Sequence, residues 1–177
     1  MNDIAISVRR AKPEDAPEIA NVHLNSWREA YRNILPQSYL DQLPLSFKGR
    51  MNRWAEGLKE EDDITYVADT EKGIVGFAAF NGARDEELGN YGELGAIYLF
   101  ERFKGKAVGY ELLKRGFADL YHKQFRKGYC WVIANNPTVR FYERCGGIAN
   151  GMSKEIEIGG QKIKEIVLVW NDLKVFV

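Results

Sequence analysis

Between Glu93 and Leu113 an apolar segment gives way to a basic, glycine-bearing turn, and an amphipathic run follows at once. Lys104 and Lys106 supply positive charge, while Gly105, Ala107 and Gly109 keep side chains short. The first backbone N–H groups of a helix have no intrahelical partner, and the helix dipole favours an anion beside them. Such a turn, opening a helix, suits a phosphate or pyrophosphate. It is not a Walker loop, because no Gly-Lys-Ser/Thr stands at the required spacing, and Gly105 with Gly109 does not make the G-x-G-x-x-G of a dinucleotide fold. A second reading stays open from these residues alone: the two glycines let the helix pack closely on a sheet.

The elements that must position this turn can be read from periodicity and breakers. Ile6 to Arg10 reads as an opening strand, and Lys12-Pro13-Glu14-Asp15 as a helix start, with proline at a first-turn position and two acids at the positive end of the dipole. Ala16, Ile19, Ala20, His23, Trp27, Ala30, Tyr31 and Ile34 then fall on one helical face. Pro36 and Pro44 interrupt a second, irregular helical region that ends near Leu58. Strands are expected at Ile64–Ala68, Ile74–Phe80 and Glu93–Leu99, followed by a helix whose apolar side holds Val108, Leu112, Leu113, Phe117, Leu120 and Tyr121. Tyr129–Ala134 has the continuous apolar character of a buried strand. Pro137 opens a short helix that Gly146-Gly147 closes. Met152–Ile158 and Lys162–Trp170 make a hairpin around Gly159-Gly160, with a bulge expected where Ile163 falls out of phase with Ile166 and Leu168. The expectation is one domain, residues 1–177, of α/β (α+β) class, with a mixed sheet of about seven strands and about four helices on its faces.

Composition narrows the function classes. Apolar residues at 45% and charged residues at 28% are those of a folded domain. The 25 basic and 25 acidic side chains cancel, so no overall field draws the chain to nucleic acid or to an anionic membrane. Met1-Asn2-Asp3-Ile4 carries no secretory pattern and no apolar run reaches roughly 18 residues, so neither export nor a membrane span is expected. Cys130 and Cys145 are too few for a disulfide scaffold and suit a reducing cytoplasm. His23 and His122 lack a set of co-ligands, so no metal is expected.

Two blocks together carry a family resemblance. Lys104-x-x-Ala107-x-Gly109 is similar to the Gln/Arg-x-x-Gly-x-Gly/Ala of the GNAT acetyltransferase superfamily, with lysine and alanine as departures. Asn135-Asn-Pro-Thr138-Val-Arg-Phe-Tyr142-Glu-Arg-Cys-Gly146 resembles that superfamily's Asn-x-x-Ala-x-x-Phe-Tyr-x-x-x-Gly-Phe, with Thr138 for the alanine and Gly147 for the closing aromatic. The motifs stand in the family's order, and the resemblance extends over nearly the whole chain.

The resemblance implies transfer of an acetyl group from acetyl-CoA to a primary amine by direct attack, without a metal. It implies cofactor contacts from Ile97, Tyr98 and Leu99, from Lys104, Gly105, Lys106, Ala107, Val108, Gly109 and Tyr110, and from Asn135 and Thr138. It places Tyr142 as the acid for the leaving thiolate, and Glu93 as a base whose pKa burial would raise. Asn135 is equally a turn asparagine, Tyr142 an aromatic core residue and Glu93 an exposed strand-end glutamate. Trp27, Arg28 and Tyr31 would border the acceptor, Arg28 by holding a carboxylate. A small-molecule amine leads, with a protein or peptide acceptor, or a non-catalytic acyl-CoA-binding module, as alternatives. A homodimer through the final strand, Ile166–Trp170, is a further expectation.

Overall fold

In the computed structural model, residues 4–177 are described; Met1–Asp3, read above for a targeting signal, lie outside the described residues. The runs read as strands pair into one seven-stranded sheet, order β1-β2-β3-β4-β5-β7-β6. They are β1 (Ser7–Arg10), β2 (Ile64–Thr70), β3 (Gly73–Gly82), β4 (Gly92–Leu99), β5 (Gly128–Ile133), β6 (Ile148–Ile158) and β7 (Gln161–Trp170). All neighbours are antiparallel except β4 and β5. Those two run parallel because α4 (Val108–His122) carries the chain back between them, the crossover a parallel pair needs.

The remaining helical segments are α1 (Ala16–Ala30), α2 (Gln37–Gln42), α3 (Phe47–Gly57) and α5 (Thr138–Arg144). Pro44 falls in a single 3-10 turn, Leu43–Ser46, so the irregular second region divides into α2 and α3. A proline has no N–H to continue a helical ladder. No helix among the described residues is long and apolar enough to cross a membrane.

The sheet has an apolar core on each face. Leu112, Leu113, Phe117 and Leu120 of α4 pack with Phe80, Leu94, Cys130, Leu168 and Trp170 on one side. On the other, α1 and α3 cover β2 and β3 through Ile19, Val22, Trp54, Val67 and Phe77. Beyond them α1 and α2 meet β5 and β7 through Leu24, Tyr31, Leu40, Ile133 and Ile163. Arg9 ties β1 to β2 and to the turn that leads into α1, its guanidinium 2.7 Å from Asp15 and 2.8 Å from Asp69.

This two-sided burial corrects two expectations about β7. Ile163 pairs in register with Ile156 and faces α1 and α2, whereas Ile166, Leu168 and Trp170 face α4. The irregularity lies in the partner strand instead, between Ala149 and Ser153. β7 also has a strand along each edge, and Val167–Trp170 are buried, so it has no free edge to pair with another chain.

Candidate active site

The parallel pair that holds the sheet together is short. Only Gly92 with Gly128 and Glu93 with Tyr129 are in register, and beyond them β4 and β5 diverge. Their separation opens a cleft of about 990 Å³ that runs through the sheet from α4 to α1. On its other edge β4 pairs with β3, with a register shift opposite Phe80 that leaves Gly95 unmatched. Phe100 donates its N–H to the Val75 carbonyl on β3 at 3.0 Å. Since strand amides alternate sides, those of Leu99 and Ile97 point away from β3, toward the opened space.

At the α4 end the turn is built as its residue types predicted. The first α4 hydrogen bond runs from Glu111 N–H to the Ala107 carbonyl, which leaves the amides of Val108, Gly109 and Tyr110 without intrahelical partners. Gly105 has φ +76°, and the space where a side chain would project is open. Ala107 has φ +60°, a left-handed conformation that costs a non-glycine residue about 1–2 kcal/mol. The departure from the family's usual glycine thus falls on the backbone, beyond the added methyl group. Lys104 lines the cleft and pairs with Glu101. Lys106 lies outside the cleft, in a neighbouring hollow lined by Phe100, Arg102 and Phe103. The Val108 side chain belongs to the α4 core, while Tyr110 and Thr138 line the cleft.

Asn135 is misplaced in the sequence reading. It is exposed and outside the cleft, whereas the buried Asn136 lines it, its Oδ1 accepting from Thr138 N–H at 2.9 Å at the start of α5. The Asn-Pro step is the signal that could have found it, since an asparagine side chain that bonds the amide two residues on turns the chain there. Tyr142 lines the cleft 7% exposed, its ring edge-on to Trp170 at 6.0 Å. Burial pushes its phenol well above the usual tyrosine value, so it stays protonated through the neutral range.

Glu93 corrects a second expectation. It is 3% exposed, and its carboxylate accepts from Tyr129 Oη at 2.8 Å, from Arg84 Nε at 3.0 Å and from Arg84 N–H at 3.1 Å. Burial works to raise its pKa, but the hydrogen bonds from Arg84 and Tyr129 outweigh burial and hold it below the ordinary carboxylate value. The carboxylate therefore stays ionised and committed to its partners, a weak position for a base.

The α1 wall is aromatic. Trp27 Nε1 donates to Tyr98 Oη at 2.6 Å, and the Tyr31 hydroxyl lies 3.4 Å from the same oxygen. Trp27, Tyr31 and Tyr98 line the cleft, but Arg28 is exposed and outside it. Beneath them His23 stacks on Tyr98, ring centres 5.1 Å apart, with Arg50 Nη1 3.1 Å from its Nε2. Burial, then the charges of Arg50 and Arg53, lower its pKa to about 3. An unfolded chain protonates this imidazole near pH 6.5, so between those values it binds a proton that the folded chain refuses. Stability from His23 is complete above pH 6.5 and falls by about 1.4 kcal/mol per pH unit below it. Denaturant titrations at pH 7 and pH 5 should therefore show wild type losing about 2 kcal/mol more than His23→Gln. Equal losses would contradict this account of the histidine.

A family model for the acetyltransferase (GNAT) family matches residues 24–147, which include β4, the turn, α4 and α5. The chain belongs to the GNAT acetyltransferase family. It is 39% identical over 170 residues to the uncharacterised N-acetyltransferase YuaI of Bacillus subtilis strain 168, covering 95% of this chain and 94% of that one. Among solved structures, the PaiA N-acetyltransferase of Thermoplasma acidophilum in complex with coenzyme A superposes with a TM-score of 0.71 at 20% identity, over 92% of this chain and 98% of the other. The structure of yncA from Salmonella typhimurium with its cofactor acetyl-CoA gives 0.70 at 15% identity, over 94% of each chain. These two likenesses concern the fold. This GNAT chain is accordingly an acyltransferase, with its family's motifs on the elements that form the cleft.

Proposed function

We propose that this GNAT enzyme transfers the acetyl group of acetyl-CoA to a primary amine of a small molecule. The observation that carries the acceptor class is the packed junction of α1, α2 and the β6–β7 hairpin beside the cleft. Tyr31, Leu35, Leu40, Leu43, Ile133 and Ile163 form one packed cluster there. The hairpin turn is seated on α2 as well: a side chain at Gly159, which has φ +60°, would start 2.8 Å from Tyr39. A peptide would need an open groove at that junction, whereas a compact amine fits beside Trp27 and Tyr31.

The residues present fit a diphosphate-bearing thioester. Open space at Gly105 and the unpartnered amides of Val108, Gly109 and Tyr110 suit the diphosphate, with Lys104 beside them. When bound, acetyl-CoA supplies an activated carbonyl and a thiolate leaving group. The amides of Ile97 and Leu99 on the open edge of β4 are the donors for the carbonyl oxygen. Tyr142 holds the proton for the departing sulfur. With Glu93 held ionised by Arg84, the acceptor ammonium loses its proton to cleft water. Asn136 takes the place given to Asn135. Cys130 and Cys145 are free thiols, as the cytoplasm would keep them.

A thiol-release screen with acetyl-CoA against small amines and short peptides tests this reading. Turnover of small amines is expected, and turnover confined to peptides would overturn it. Gly109→Leu tests the cradle separately. A side chain there begins 3.3 Å from Phe141, so a bulky one is forced toward the phosphate space. Calorimetry should find coenzyme A bound at least about tenfold more weakly, a loss of about 1.4 kcal/mol; full affinity would refute the cradle.

A further inference from the structure

The floor of the acceptor end is a row across three strands. Ile133 of β5 pairs with Glu165 of β7, which pairs with Lys154 of β6, so the three side chains share one face. Trp131, two residues before Ile133, lies on that face too. Lys154 Nζ sits 3.9 Å from the centre of the Trp131 ring and 3.6 Å from Glu165 Oε2. Trp131, Lys154 and Glu165 all line the cleft.

The other carboxylates there are engaged. Glu93 is held by Arg84 and Tyr129, Glu101 by Lys104, and Asp85 accepts from Glu87 N–H at 3.1 Å. Glu165 differs. Its side chain is only 17% exposed, yet its ion pair with Lys154 is longer than a hydrogen bond, and the Lys154 side chain is 45% exposed. The glutamate and the indole stand on inner strands, whereas the lysine is on the edge strand β6 and its exposed ion pair holds it weakly. The pocket also reaches the α1 wall: after burial, and against the hydrogen bond with Tyr98, the charge of Glu165 helps raise the Tyr31 phenol. An alkylammonium lying over an indole face beside a carboxylate is a cation site, and here the chain's own lysine fills it.

We propose that Glu165 and the face of Trp131 bind a second positive charge on the acceptor, in place of Lys154, so that the preferred substrates are aliphatic diamines. The attacking nitrogen must be neutral, so a carboxylate and an aromatic face in the acceptor pocket are useful to a nitrogen that stays charged. This rests on the small-amine reading above and narrows it.

The full chain is assayed for thiol release with acetyl-CoA and either 1,4-diaminobutane or n-butylamine, which differ by one ammonium. Wild type should favour the diamine by at least about tenfold in kcat/KM, chiefly through KM. Glu165→Gln should bring the two to within about twofold of each other, and Lys154→Met should lower the diamine KM by removing the internal competitor. Equal use of both amines by wild type, or equal losses on both in Glu165→Gln, would overturn the proposal while leaving the acetyltransferase reading intact. Calorimetry of 1,4-diaminobutane with the coenzyme A-saturated chain separates the two claims. Binding lost in Glu165→Gln supports the cation site even if no amine is acetylated, and no diamine binding to wild type refutes it.

Discussion

Tyr142→Phe should lower kcat for thiol release by about 10²–10³-fold and leave coenzyme A affinity within about twofold, as expected when a positioned acid is removed. The substitution deletes only the hydroxyl. The ring stays between Phe141 and Trp170, whose centres lie 5.5 Å and 6.0 Å away, so the melting temperature should hardly move. Burial keeps the phenol protonated across the working range, so wild type should show no rate loss from this group up to the ordinary tyrosine pKa of about 10. Steady-state assays over pH 6 to 9, with a melting curve for each protein, decide the matter. A variant rate within about twofold of wild type would remove Tyr142 from the chemistry and leave it as packing.

The second large effect falls on α4. Gly116→Ala should destabilise the chain by about 2–3 kcal/mol, although alanine alone favours a helix by about 1 kcal/mol over glycine. The new methyl group would start inside the van der Waals envelope of the Phe80 ring, against its Cε2 and Cζ. Phe80 cannot yield easily, being fully buried with Phe117 edge-on at 5.4 Å. Either the ring or the whole of α4 must move. For a chain of this size each kcal/mol lowers the melting temperature by about 2–4 °C, so a fall of at least about 4 °C is expected. An unchanged melting temperature would mean that α4 does not sit this close to β3. Because the amides of Val108–Tyr110 ride on the same helix, coenzyme A binding should weaken too. Glycine in this helix is thus chosen by the distance to the sheet, against its own propensity.

Much of this was legible along the chain because local physics decided it. The apolar face that starts at Ala16 gives α1, although the helix stops at Ala30, before Tyr31 and Ile34; the hairpin turn is Gly159-Gly160, and Lys104–Gly109 does open α4. Each depends on neighbours a few residues apart: helical period, positive φ, unpartnered amides. Charge balance and the absence of a long apolar run likewise needed no partner from elsewhere in the chain.

The rest depended on which distant groups met. Nothing within Glu93–Leu99 announces Arg84 and Tyr129, yet these two reverse the direction in which burial alone would move the Glu93 carboxyl. The motif frame picked out Asn135, yet the end of β5 sets Asn135 toward solvent and Asn136 into the cleft. Ile163 seemed out of phase only because β7 has a core on both faces, where alternation of apolar and polar residues disappears. Lys154, Glu165 and Trp131 are scattered in the sequence and come together only through strand register. The sequence by itself determined the elements, the turn that opens α4 and the family, since all three are written in short-range residue types. Tertiary structure alone decided the cleft, the state of its carboxylates and the shape of the acceptor end, because charge, burial and packing act between residues that folding brings together.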